Sequence, residues 1–136
     1  MYGLEFFLTK TGVLFSELSC GPHDTGFVTL TSQKYSQFQY HLRAILGLPL
    51  PPLGPVSPSA SAAILATGEG KVEGYRGVER ALQVEESDLR IFGKPRAHRF
   101  RRLGVALARG ESLDQARRRA LEAASRVEVV YGPDPG

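Results

Sequence analysis

Five prolines (Pro49, Pro51, Pro52, Pro55 and Pro58) fall between Leu48 and Pro58. Each fixes φ and removes an N–H donor, so neither a helix nor a central strand can run through this segment. It reads as an extended, semi-rigid linker and the strongest internal boundary, dividing the chain into residues 1–53 and 54–136. On each side helix-period stretches and short apolar runs occur together, which predicts an α+β chain of two small lobes.

Before the linker, the first eighteen residues predict a β-hairpin: Tyr2 to Thr9, a turn at Lys10-Thr11-Gly12, then Val13 to Leu18. A three-residue loop ending in Gly, centred on Thr11, places Glu5 opposite Glu17, Phe7 opposite Phe15, Leu4 opposite Leu18 and Leu8 opposite Leu14. Like charges directly across a strand pair repel. A divalent cation between them reverses the sign, because Mg²⁺ takes a few carboxylate oxygens and completes its shell with water and phosphates. On position alone, two glutamates splayed into solvent are as good an account. Downstream, Tyr35, Phe38, Leu42 and Ile45 recur at helical spacing, predicting a helix from Thr31 to Leu46 that Gly47 caps and Pro49 stops.

After the linker, Ala60 to Ala66 reads as a short buried strand, and the glycine-rich Thr67 to Gly77 as a loop. A short helical or extended piece follows at Val78 to Leu82. Leu89 to Phe92 and Leu103 to Ala108 read as strands flanking a basic loop. Ser112 and Gln115 predict a capping box for a helix ending at Arg126, with Leu113, Ala116, Ala120 and Ala124 on its buried face. Val127 to Tyr131 reads as a closing strand, and Gly132 to Gly136 as a frayed tail. If the strands around the basic loop form a hairpin, Lys94, Arg101 and Arg102 can converge. Guanidinium forks and an ammonium are the groups that bind phosphate. On residue type alone, solvated basic side chains are the commoner outcome for such a loop.

Composition narrows the classes. With 42% hydrophobic and 23% charged residues the chain has ordinary globular values, so a folded state is expected. The single cysteine, Cys20, excludes an intrachain disulfide and fits a reducing, cytoplasmic compartment. No stretch has the apolar length of a membrane span, and Glu5 interrupts the place where a signal peptide needs an apolar run. A net charge of +3 suits an anionic small molecule and gives no case for nucleic acid.

The paired glutamates, Pro22-His23-Asp24-Thr25-Gly26 and Thr31-Ser32-Gln33 together resemble the end of an ATP-grasp fold. Within that superfamily the chain is most similar to the formate-dependent phosphoribosylglycinamide formyltransferases of purine biosynthesis. Three further stretches agree: Leu42 to Pro49, Ser59 to Leu65, and Ile91-Phe92-Gly93-Lys94-Pro95 with Arg101 to Ala108. The ATP-grasp carboxyaminoimidazole ribonucleotide synthases are the nearest alternative. Their pattern has Asn-Ser where this chain has Asp24-Thr25.

The resemblance implies residue roles. Glu5 and Glu17 would hold Mg²⁺ on the phosphates of ATP. Lys94, Arg101 and Arg102 would bind the substrate phosphate, reversing the weighting above. Asp24 would accept a hydrogen bond from the amine or sugar of phosphoribosylglycinamide, with His23 supporting it from behind. Arg96, His98 and Arg99 add positive field without an implied role. The family pattern has Pro-Arg where this chain has Cys20-Gly21, so one positive charge is missing beside the site, and Cys20 reads as a filler rather than a nucleophile.

The resemblance also covers only the C-terminal third of such enzymes, without the substrate domain and the lobes that clamp adenine and triphosphate. It implies ATP, formate and phosphoribosylglycinamide as ligands and a homodimer or the remaining ATP-grasp lobes as partners. The 136 residues alone are expected to be inactive. The other reading is a non-catalytic phosphosugar-binding or interaction module. Three motifs carry nothing: Gly68-Glu69-Gly70-Lys71 lacks the full phosphate-loop spacing, Arg117 to Arg119 lack interleaved aromatics, and His41 has no ligand-spaced partner.

Overall fold

The first strands, β1 (Gly3–Thr9) and β2 (Gly12–Ser19), form the antiparallel hairpin with Glu5 opposite Glu17 and Leu4 opposite Leu18. Nearer the turn the expected register is corrected. Phe6 faces Phe15, Phe7 faces Leu14 and Leu8 faces Val13. The loop has two residues rather than three, with Thr9 paired to Gly12. Thr9 Oγ1 accepts from the Thr11 N–H and donates to the Gly12 carbonyl, tightening it. Ser16 is the extra residue of a β-bulge that restores the Glu5–Glu17 pairing. Phe6 and Phe15 meet edge to face at 6.1 Å.

The computed structural model describes residues 2–54 and 56–133, which fall into two compact units, 1–55 and 56–136. In the first, a 3₁₀ turn (Asp24–Val28) runs into a single helical turn, α1 (Thr29–Ser32), and then α2 (Gln37–Ile45). The continuous helix expected from Thr31 is thus broken at residues 33–36. Ser36 wins as the helix start because it forms a full capping box. Its hydroxyl accepts from the Gln39 N–H, and the Gln39 carboxamide accepts from the Ser36 N–H. Gly47, at φ +64°, ends α2 as expected, and the Leu48 N–H reaches back to the Arg43 carbonyl. The part of the proline segment in this unit that is described, residues 48–54, has no regular structure. It lies along α2, with Tyr40 Oη donating to the Pro51 carbonyl and Arg43 Nη1 to that of Pro49.

Apolar burial is the weak point of this unit. Among the described residues 2–54 no apolar side chain is buried, and Phe6, Phe7, Leu8, Val13 and Leu14 are all more than half exposed.

The second unit holds the chain's buried apolar core. Its central strand, β7 (Arg102–Arg109), lies between β3 (Ser59–Leu65) and β5 (Ser87–Ile91), all antiparallel. Every residue from Leu103 to Ala108 is buried, as a continuous apolar run in a central strand requires. Helix α4 (Leu113–Ser125) packs on this sheet through Ala116, Ala120 and Ala123. Leu113, expected on that face, is exposed instead, and Ala124 is half-buried. Ser112 caps α4 through the Gln115 N–H, but the Gln115 carboxamide turns to the Glu111 N–H, so the expected reciprocal box is shifted by one residue.

The stretch expected to be a glycine-rich loop instead contains β4 (Gly70–Arg76). This strand pairs with the two-residue β6 (Arg96–Ala97) and with β8 (Glu128–Gly132). Its glycines mark the strand start and a bulge at Glu73 rather than a turn. A one-turn helix, α3 (Val78–Leu82), follows. Ala66, Ala97 and Leu103 pack with Val72, Tyr75, Val129 and Tyr131 between the two sheets. Tyr131 Oη accepts hydrogen bonds from the N–H groups of Thr67 (2.9 Å) and Gly68 (3.1 Å). Burial penalises its phenolate, but these donors outweigh that and hold its pKa below the ordinary tyrosine value. Burial, followed by the nearby Tyr131, moves Tyr75 the other way. Of the expected tail, Gly132 closes β8 and residues 134–136 lie outside the described residues.

Candidate functional site

In the first unit, the hairpin places Glu5 and Glu17 across from each other, and the loop after β2 brings His23 to them. Ligand-capable atoms of all three lie within 4.8 Å of one another. His23 Nδ1 sits 2.7 Å from Glu5 Oε1 and 3.7 Å from Glu17 Oε1. Glu5 Oε1 also accepts from the Thr25 hydroxyl at 3.3 Å. Two carboxylates on one sheet face, one of them hydrogen-bonded to His23 and Thr25, offer hard oxygen donors of the type a divalent cation such as Mg²⁺ takes. Asp24, on the exposed side of the same loop, lies between His23 and Thr25 in the chain.

A network that residue patterns did not disclose holds this loop. The Gln37 carboxamide pairs with both peptide groups of His23, accepting from its N–H (3.2 Å) and donating to its carbonyl (2.6 Å). The Gln37 N–H donates to Thr29 Oγ1, which in turn donates to the Gly26 carbonyl. A Cβ at Gly26 would fall 2.0 Å from Gln37 Oε1, so the glycine makes room for the carboxamide. No spacing rule finds Gln37, because its partner is fourteen residues away and the contact is to backbone. Thr25 stands out in the sequence only as part of the Asp-Thr-Gly run.

In the second unit, β5 and β7 do form the hairpin that was the condition for Lys94, Arg101 and Arg102 to gather. Ile91 pairs with Gly104, and the Phe92 N–H donates to the Leu103 carbonyl. Lys94 Nζ lies 5.4 Å from the centre of the Phe92 ring. Arg101 Nη1 donates to the Arg96 carbonyl at 2.8 Å, and Arg102 opens β7. The loop is well tethered. Residues Arg96–Ala97 pair with β4, the Val72 N–H donates to the Pro95 carbonyl, and Ala66 exchanges hydrogen bonds with Phe100 and Arg101. Phe100 adopts φ +66°, a left-handed conformation directly before Arg101.

Comparison with known families gives this geometry a context. Residues 59–127, about half the chain, match the family described as PurT, C-terminal. The chain belongs to the PurT C-terminal family. Residues 1–38 match the ATP-grasp domain. Among curated relatives, the formate-dependent phosphoribosylglycinamide formyltransferases of Trichormus variabilis and Synechocystis are 51% and 54% identical to it, each over 95% of the chain. The chain spans about a third of the length of these relatives, 33% in both cases.

Solved structures point to the same superfamily. N5-carboxyaminoimidazole ribonucleotide synthetase from Thermotoga maritima matches with a TM-score of 0.83 at 32% identity, covering 96% of this chain and 37% of its own. Glycinamide-RNase-transformylase T from Mycobacterium tuberculosis gives 0.70 at 34%, covering 93% and 32%. Backbone likeness therefore does not separate the two activities. The family match over residues 59–127 is to PurT, C-terminal.

Proposed function

We propose that this chain supplies the metal-binding and substrate-phosphate-binding residues of an ATP- and formate-dependent phosphoribosylglycinamide formyltransferase acting in purine biosynthesis. The observation that carries this reading is the Glu5–Glu17 register with His23 and Thr25 hydrogen-bonded to Glu5, in a chain 54% identical to such an enzyme. Glu5 and Glu17 would hold Mg²⁺, which when bound offsets the charge of the ATP phosphates. Lys94, Arg101 and Arg102 would bind the phosphate of phosphoribosylglycinamide, and Asp24 would orient its amine-bearing end. In the overall reaction ATP phosphorylates formate, the amine attacks the formyl carbon, and phosphate leaves as the amide forms. Residues of this chain contribute positioning and charge, the usual currency of phosphoryl transfer.

The exposed apolar surface of the first unit supports a partner of the ATP-grasp type. A two-stranded hairpin is marginal in water without a covered face. The remaining lobes of an ATP-grasp fold, which the resemblance implies, would cover it, in one chain or in a separate one. The test is reconstitution. The chain joined to the first two-thirds of the Synechocystis relative should make formyl product with ATP and formate, and Glu17→Gln should abolish it. Phosphoribosylglycinamide binding without product, in a complex that binds ATP, would favour the non-catalytic module instead.

A further inference from the structure

We propose that His23 is the positioning residue for the Glu5 carboxylate, acting through an Nδ1–H tautomer that the fold itself fixes, and that it is not a metal ligand. This rests on the metal reading of Glu5 and Glu17 given above.

Three features lead to it. First, Nδ1 faces Glu5 Oε1 at 2.7 Å. An ionised carboxylate only accepts, so the proton of that bond belongs to Nδ1, and Nδ1 has no lone pair to give a cation. Second, the other nitrogen, Nε2, is buried and has no hydrogen-bond partner among the described residues. A proton there would be a buried donor without an acceptor, so the bare Nε2 is the less costly state. Third, the ring is seated from both ends. Its side chain is 8% exposed. A Cβ on Gly3 would approach Cδ2 to 2.7 Å and Nε2 to 2.9 Å, so the ring occupies space that only glycine leaves open. From the chain side, the Gln37 carboxamide fixes the His23 peptide on both edges.

The consequence is directional. Glu5 Oε1 is committed to His23 and Thr25, so the carboxylate presents its second oxygen along a set line instead of sampling rotamers. Glu17, whose Oε1 is 3.7 Å from the same Nδ1, feels the donor without bonding to it, which moderates the repulsion between the two carboxylates. Gly3, His23 and Gln37 thereby form one support for a single ligand.

The 136-residue chain can be tested with Mn²⁺ alone, an oxygen-preferring probe for this site, followed by the loss of its free EPR signal. His23→Ala and Gly3→Ala should each weaken Mn²⁺ binding by roughly tenfold or more. His23→Asn, whose amide nitrogen can stand where Nδ1 stands, should recover most of that loss. Electron-spin-echo modulation of the bound ion should lack a directly coordinated nitrogen. Long-range ¹H–¹⁵N correlation of the metal-free wild type should show the Nδ1–H tautomer, a readout that needs no variant to fold. A coordinated nitrogen, an Nε2–H tautomer, or a folded His23→Ala that binds as the wild type overturns the positioning role, as does an Asn variant as weak as Ala. A wild type that takes up no Mn²⁺ overturns the metal reading itself, and this assignment with it.

Discussion

The Gln37 carboxamide and the His23 peptide form a closed two-bond pair, at 3.2 Å and 2.6 Å, between the start of α2 and the loop that follows β2. A side chain here does what a neighbouring strand does elsewhere, satisfying one residue's N–H and C=O together. Replacing Gln37 by Ala leaves both groups unpaired in a half-buried setting. A loss of about 1–3 kcal/mol of stability is expected, read as a lowered urea midpoint with an unchanged slope. Gly26→Ala should act on the same pair by steric exclusion, and the double variant should be clearly less than additive.

Tyr131→Phe should destabilise the second unit by about 1–3 kcal/mol, because the Thr67 and Gly68 N–H groups lose their shared acceptor. It should also remove from an alkaline absorbance titration a phenol that ionises below the ordinary tyrosine value, whereas Tyr75 ionises above it. The signs of the pH effect differ. The lowered Tyr131 pKa adds stability that is complete above the unfolded value and disappears as pH falls through the folded one. The raised Tyr75 pKa adds stability present below the unfolded value and lost as pH rises through the folded one. An unchanged alkaline titration in Tyr131→Phe would contradict this assignment.

Inorganic phosphate or sulfate should bind weakly to the basic loop, in the millimolar range, because Lys94 and Arg101 sit on a segment tethered by backbone bonds within its own unit. Lys94→Ala, Arg101→Ala and Arg102→Ala should each reduce binding, and salt should weaken it. Asp24→Ala should spare phosphate but reduce any preference for phosphoribosylglycinamide. Chemical-shift changes confined to Arg117–Arg119, with none at Lys94–Arg102, would refute the phosphate assignment.

Gly21→Arg should be accommodated without loss of stability. A Cβ at Gly21 meets nothing within 4 Å, so the glycine is not required by its surroundings. The added guanidinium next to the carboxylate loop should tighten binding of tripolyphosphate with Mg²⁺. A folded variant with unchanged affinity would mean that Cys20-Gly21 costs the site nothing.

Much of the second unit was legible because its signals were local. The run Leu103–Ala108 gave the central strand, and Ser112 gave the start of α4. The Glu5–Glu17 pairing was also readable, although the path to it was not. The two-residue turn and the bulge at Ser16 offset each other, and residue type does not distinguish that solution from a three-residue loop. The strand β4 was missed because Gly70 and Gly74 read as turn residues until a partner strand is present to use them. Helix α2 began late because Ser36 and Gln39 form a stronger cap than anything near Thr31. The support around His23 was invisible for a different reason. Gln37 and Gly3 act through a peptide group and through empty space, and neither leaves a pattern in a chain read one residue at a time.

The Ser16 bulge has a consequence for how such a chain can change. Glu17 stands one residue farther from the Thr9–Gly12 pair than Glu5 does, and the two are opposed because the bulge at Ser16 absorbs that difference. Loss of Ser16 together with the bulge, or a third turn residue offset by that same loss elsewhere in β2, would leave the carboxylates facing each other. The hairpin can therefore drift in length at its tip through paired insertions and deletions while its acidic end stays in phase, much as a vernier slides without losing its zero.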